Sequence, residues 1–122
     1  MSSLAAEFLL LASDDFVYLA ELPYYAARVL GVRGEEDERR AVLATVCELL
    51  HKGLWLPGEL RADGFHSWSC SAGDALARIE REWRALGRPL TIGDVCWFAN
   101  TPDADARAGE LLRSGYKSAI ED

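Results

Sequence analysis

Residues 54–68 read Leu54-Trp55-Leu56-Pro57-Gly58-Glu59-Leu60-Arg61-Ala62-Asp63-Gly64-Phe65-His66-Ser67-Trp68. Leu54-Trp55-Leu56 and Phe65-His66-Ser67-Trp68 carry the large apolar and aromatic residues that suit a half-buried pleated surface. Pro57-Gly58 and Asp63-Gly64 between them are turn dipeptides. The pattern predicts two strands of a hairpin. Its connection is longer than a tight two-residue turn, so it is expected to project as a loop.

Working outward toward the N-terminus, a helix is expected over Glu35–Lys52. Val42, Leu43, Val46, Cys47 and Leu50 form one apolar stripe, Gly53 stops the helix, and the acids Glu35-Glu36-Asp37-Glu38 suit the positive end of its dipole. Before it, Pro23 leads Tyr24 to Leu30 into Gly31, a short helix closed by a C-terminal glycine. Phe16-Val17-Tyr18-Leu19 reads as one short strand after Asp14-Asp15. Leu4, Phe8 and Leu11 recur at helical spacing behind the N-cap candidates Ser2 and Ser3.

On the C-terminal side, Ser71-Ala72-Gly73-Asp74 has the spacing of a capping box. Leu76, Ile79, Trp83 and Leu86 give the buried face of the helix that follows. Thr91-Ile92-Gly93-Asp94 repeats the capping pattern ahead of Val95-Cys96-Trp97-Phe98, predicting a short, mostly buried helix. Thr101-Pro102 starts a last helix that Gly115 ends, and the tail from Tyr116 to Asp122 is expected to fray. The expected fold class is α+β and mostly helical, with a small three-stranded sheet or hairpin and additional C-terminal helices. Residues 1–122 are read as one domain, 4–68 forming its first part and 71–114 the helices packed on it.

The order helix, strand, helix, helix, hairpin over residues 4–68 resembles a winged helix-turn-helix domain: Phe16 to Leu19 match the small first strand, Pro23 to Leu30 and Glu35 to Lys52 the helix pair, and Leu54 to Trp68 the wing. The resemblance implies DNA reading by the third helix in the major groove, through Arg39, Arg40, Thr45, Glu48 and Lys52, with Arg61 from the wing. Charge opposes that use. Over residues 35–52 the five acids Glu35, Glu36, Asp37, Glu38 and Glu48 outweigh Arg39, Arg40 and Lys52, and the wing adds Glu59 and Asp63 against Arg61. Phosphates need donors and cations, and a shared fold does not transmit a function.

Composition narrows the classes further. The chain has 122 residues, 50% of them hydrophobic, and 13 Lys and Arg against 20 Asp and Glu leave a net charge of −7. A polyanion binder draws its affinity from cationic side chains, so the acidic surplus argues against a general nucleic-acid binder and favours a basic protein partner. The apolar runs are too short for a membrane span. The start Met1-Ser2-Ser3-Leu4 lacks the charged opening of a secretory signal, so a cytoplasmic location is expected. Cys47, Cys70 and Cys96 are odd in number and widely spaced, and with His51 and His66 they do not make the close ligand couples of a structural zinc site. No disulfide, metal or cofactor is expected. No nucleophile elbow or phosphate-cradling loop is present, so the reading is non-catalytic.

Three constellations remain. From Asp14 to Glu38 the acids Asp14, Asp15, Glu21, Glu35, Glu36, Asp37 and Glu38 face only Arg28 and Arg33, a local balance of −5. Gathered on one side, they would steer and hold a basic surface; the plainer reading is a solvated helix start plus a helix-ending Asp pair. Arg78, Arg81, Arg84 and Arg88 form a stripe opposite the apolar face of their helix, with Asp74 and Glu80 placed to pair with Arg78 and Arg84. Among the aromatics, Trp83 and Trp97 sit in helical apolar patterns and belong to the core, whereas Trp55 and Trp68 on the hairpin are candidates for an exposed anchor. The chain is thus expected to bind a basic protein partner through Asp14, Asp15, Glu35, Glu36, Asp37 and Glu38, with Trp55 or Trp68. In size and charge it is similar to bacterial toxin-immunity and antitoxin proteins; the alternative is a winged-helix transcriptional regulator.

Overall fold

The computed structural model describes residues 1–118. Local signals start its helices as expected. The Ser2 hydroxyl accepts the Ala5 N–H (3.1 Å) ahead of α1 (Ser3–Asp14), and the Ser71 hydroxyl accepts the Asp74 N–H (3.1 Å) ahead of α4 (Ala72–Ala85). Thr101 does the same for Ala104 (3.3 Å) ahead of α5 (Pro102–Arg113). Each satisfies an N–H that the first helical turn leaves without a partner. Between α1 and α4 lie β1 (Val17–Tyr18), a single 3-10 turn (Leu19–Glu21), α2 (Leu22–Leu30), α3 (Glu35–His51), β2 (Trp55–Arg61) and β3 (Gly64–Ser67). Gly31, at φ 72°, ends α2 in the left-handed conformation that suits a residue without Cβ.

The sheet is antiparallel throughout, and its spatial order differs from its sequence order: β1, then β4 (Trp97–Asn100), β2 and β3. Residues 3–67 keep the expected succession of helix, strand, two helices and hairpin, but β1 does not pair with the hairpin; β4 stands between them. Val17 faces Phe98 across β1–β4, Trp55 faces Asn100 and Pro57 faces Phe98 across β2–β4. Val17, Trp55, Pro57 and Phe98 are buried on the side that the helices cover. There Phe8 of α1 stacks on Trp55 (centroids 5.4 Å, 9°), which stacks on Phe98 (4.7 Å, 22°). Burial of rings such as Phe8 and Phe98 contributes roughly 1.5–3 kcal/mol each. Leu4, Leu9, Val42, Val46, Leu49, Ile79 and Ala104 complete this core.

Four expectations need correction. Thr91–Asp94 closes as a turn, with Asp94 accepting both the Thr91 N–H (2.7 Å) and hydroxyl (2.9 Å), yet no helix follows. Val95 takes φ 68°, a left-handed value that breaks helical propagation, and Trp97–Asn100 pairs as β4, so the sheet has four strands instead of three. Consequently Trp97 is half-buried on a strand and is not part of a helical core. The hairpin connection is tight, because β2 runs through Pro57-Gly58 to Arg61 and only Ala62-Asp63 turn. Pro57 is tolerated in that strand because it lies past the end of β3, where it has only to accept: its carbonyl takes the Trp68 N–H (2.9 Å). Finally, the start of the tail is pinned, since the Tyr116 hydroxyl (2.6 Å) and the Ser118 hydroxyl (2.5 Å) both donate to the buried Glu7 carboxylate. The remainder of the tail lies outside the described residues.

Candidate partner-binding surface

Strand alternation puts a second set of residues on the face of the sheet away from the helices. By register these are Tyr18, Leu56, Gly58, Leu60, Phe65, Ser67, Trp97 and Ala99, with Phe16 at the entry to β1. Phe16 and Leu60 are 39% exposed and Leu56 42%, far above the buried residues of the opposite face. Their rings interlock: Phe16 stacks on Phe65 (5.2 Å, 11°), and Tyr18 meets the edge of Trp97 (5.4 Å, 68°). Gly58 makes this possible, because any Cβ there would strike the His66 carbonyl oxygen and come within 2.8 Å of the Phe65 ring. None of the positions on this face carries a cation.

At one edge of the face the chain gathers carboxylates. Asp14 and Asp15 end α1, Asp105 lies in the first turn of α5, and together with Phe16, Ala99 and Asn100 they line an open hollow of about 280 Å³. Asp15 accepts the Phe16 N–H (2.7 Å) and Asp105 accepts from the Asn100 amide (3.0 Å). Among the described residues none of the three has a cation within ion-pair distance. Further along this edge, Glu21 accepts the Tyr18 N–H (3.2 Å). Burial pushes its carboxyl above the usual range, that hydrogen bond opposes the shift, and the nearby Asp15 charge adds to it. Asp105 escaped the sequence reading, although its place in the first turn after Thr101-Pro102 was the available signal. The face itself was hidden because β4 read as a helix.

Glu35, Glu36, Asp37 and Glu38 are placed differently. Glu36 bonds Arg84 of α4 (3.1 Å) and Arg39 (2.8 Å), and these two guanidinium groups, Arg84 first, hold its carboxyl below the usual range. Glu35 lies 3.7 Å from Arg39 and Asp37 3.9 Å from Arg40, so three of the four acids have cations beside them. Glu35 and Glu38 also line a separate hollow of about 330 Å³ with Pro23, Trp83 and Leu90. Of the six acids expected to bind a partner, Asp14 and Asp15 line one hollow, Glu35 and Glu38 another, and Glu36 and Asp37 neither; of the six, Asp14 and Asp15 alone share a hollow with residues of the aromatic face.

Trp55 is 1% exposed and bonds the Asn100 side chain (2.7 Å), which corrects its assignment as an exposed anchor: on a central strand its ring points into the core. Trp68 is half-buried on the helix side, with the Arg78 guanidinium 3.7 Å above its ring and its Nε1 buried without a hydrogen-bond partner. Of the residues expected to read DNA, Thr45 is buried and donates to the Ala41 carbonyl (3.0 Å), so it does not face outward. Arg39 packs over Trp83 (5.5 Å) with its side chain 12% exposed, Arg61 is held by Glu59 (2.6 Å), and Arg40 is exposed. In the arginine stripe Arg84 pairs with Glu80 as expected. Arg78 pairs with Glu82 instead of Asp74, and Arg88 grips Asp94 (2.7 Å).

Nucleophile chemistry finds poor geometry. Cys47 Sγ lies 3.5 Å from His51 Nδ1, but that nitrogen is 2.9 Å from the Cys47 carbonyl oxygen, which requires the proton on Nδ1 and leaves it no lone pair to take the thiol's proton. Burial pushes the Cys96 thiol far up, away from the reactive thiolate. Among the described residues no three His, Cys, Asp or Glu side chains gather to hold a metal ion, and no helix is long and apolar enough to cross a membrane. Compared with known proteins, the chain matches no family model, no curated protein and no solved structure.

Proposed function

We propose that this chain is a non-catalytic binding protein that masks the basic surface of a protein partner, in the manner of the acidic immunity and antitoxin proteins it resembles in size and charge. The observation that carries this reading is the grouping of Asp14, Asp15 and Asp105 around one hollow with no cation in ion-pair range among the described residues. A net charge of −7 supplies the long-range attraction. An unneutralised cluster supplies the local field that steers encounter and sets orientation. Glu35, Glu36 and Asp37 contribute less, because Arg39, Arg40 and Arg84 already cancel much of their potential. The winged-helix alternative keeps the exposed Arg40 as a phosphate contact, but loses Thr45 to the core and Arg39 to Trp83.

The test begins with the partner, isolated by affinity capture from the native cell and identified by mass spectrometry. Its association rate is then measured with two triple variants, Asp14→Lys/Asp15→Lys/Asp105→Lys and Glu35→Lys/Glu36→Lys/Asp37→Lys. The first is expected to slow association by about tenfold or more at low salt, and the second by less. Equal rates for wild type and the first variant, or a partner of acidic surface, would exclude the reading.

A further inference from the structure

We infer that the open sheet face is the docking surface, and that its occupant is a basic amphipathic segment of the partner; this rests on the proposed function above and specifies what the masked surface must look like. The face offers Phe16, Tyr18, Leu56, Leu60, Phe65 and Trp97, of which Phe16, Leu56 and Leu60 are exposed. Aromatic and leucine side chains in a contiguous, solvated array are the composition of an interface core. Phe16, stacked on Phe65, gives a rigid ring pair of the kind that anchors partners with little entropy loss.

The edge charges choose the occupant. Phe16 and Ala99 belong to the face, and both also line the hollow that holds Asp14, Asp15 and Asp105. A segment laying apolar side chains on the rings therefore brings its neighbouring Lys or Arg side chains to three carboxylates that, among the described residues, have no cation in ion-pair range. Stacked nucleobases would use the same rings, but no position on the face carries a cation to meet phosphate and its acidic edge repels it. Anionic lipid meets the same objection. A second copy of this chain would carry the same surplus of −7 to the interface.

The probe is a synthetic peptide of Leu and Lys with the Leu residues at helical spacing, titrated into the isotope-labelled full chain. Two controls replace every Lys by Glu or every Leu by Ser. The Leu/Lys peptide is expected to shift the amides of Phe16, Leu56, Leu60 and Phe65 and the Trp97 indole. Leu60→Ser and Leu56→Ser, both at exposed positions and checked for folding by their melting curves, are expected to weaken it by about tenfold. Asp14→Asn/Asp15→Asn/Asp105→Asn is expected to weaken it and flatten its salt dependence. Equal binding of the Ser/Lys peptide, or shifts confined to other surfaces, overturns the docking face while leaving an acidic binding protein standing. Preference for the Leu/Glu peptide overturns both. A dimer dispersed by Leu56→Ser makes a second copy the occupant, and shifts of Phe16 and Trp97 by a single-stranded oligonucleotide make it nucleic acid; either result overturns the inference.

Discussion

Phe16, just before β1, and Phe65, on β3, stack with their ring centroids 5.2 Å apart although β4 and β2 lie between their strands in the sheet. The Phe65 ring reaches across β2 by lying over Gly58, the one position on that row where no side chain stands in its way. Backbone composition on a central strand therefore decides the surface chemistry of the whole outer face.

Gly58→Ala is expected to destabilise the fold by about 1–3 kcal/mol, the usual cost of forcing atoms into a filled space. The added methyl has a backbone oxygen on one side and the Phe65 ring on the other, so the ring alone cannot relieve the clash. Denaturant unfolding measures the loss; an unchanged midpoint would show that β2 and β3 can separate without penalty.

Asn100→Ala removes the acceptor of the buried Trp55 indole N–H and the donor that bridges to the Leu9 carbonyl and Asp105. Leaving the indole donor unsatisfied costs about 1–3 kcal/mol. A lower denaturation midpoint with altered Trp fluorescence is the expected result.

The turn before β4 should resist acid. Arg88 above all, then the Thr91 N–H, hold the Asp94 carboxyl well below the usual carboxylate range. A carboxyl depressed in the folded state contributes stability above its unfolded pKa and loses it as pH falls through the lower, folded value. The Thr91 amide shift, followed by NMR, should therefore stay constant as pH falls through about 4, where ordinary Asp titrates. It should move only in stronger acid. Arg88→Gln should return the transition toward the ordinary range.

At the other extreme, burial and then the Glu7 carboxylate push the Tyr116 hydroxyl up to about 12. A raised phenol contributes stability that is fully present below its unfolded pKa of about 10 and is lost as pH rises toward the folded value. Ultraviolet titration of tyrosinate should show a step near 12 that Tyr116→Phe abolishes. The same variant should loosen the segment that ties Ser118 to α1, visible as faster amide exchange at residues 116–118.

Much of the architecture was legible along the chain. Caps at Ser2, Ser71 and Thr101 and the glycine after α2 are local devices, read within one helical turn, and all four act as expected. Asp14 and Asp15 were legible as candidate site residues because a charge run needs no fold to be noticed. Trp55 and Trp97 exchanged roles: the hairpin tryptophan went to the core and the supposed core tryptophan to the outer face. A four-residue apolar run such as Val95–Phe98 has no periodicity long enough to separate helix from strand. That one ambiguity concealed both the fourth strand and the face it helps to build.

The chain by itself pointed to each of the five helices among the described residues, along with a sixth that the structure replaces by β4, an acidic surplus and a hairpin within residues 54–68, because caps, apolar stripes and net charge are properties of neighbours in sequence. Only the tertiary structure decided which carboxylates remain without cations and which aromatics meet solvent. Glu36 is partly neutralised by Arg84 from another helix, Asp14 and Asp15 meet Asp105 from α5, and the insertion of β4 between β1 and β2 sets the register that turns each ring inward or outward. Charge pairing and strand facing depend on residues far apart in the chain, and a one-residue change of register would reverse every side chain on a strand.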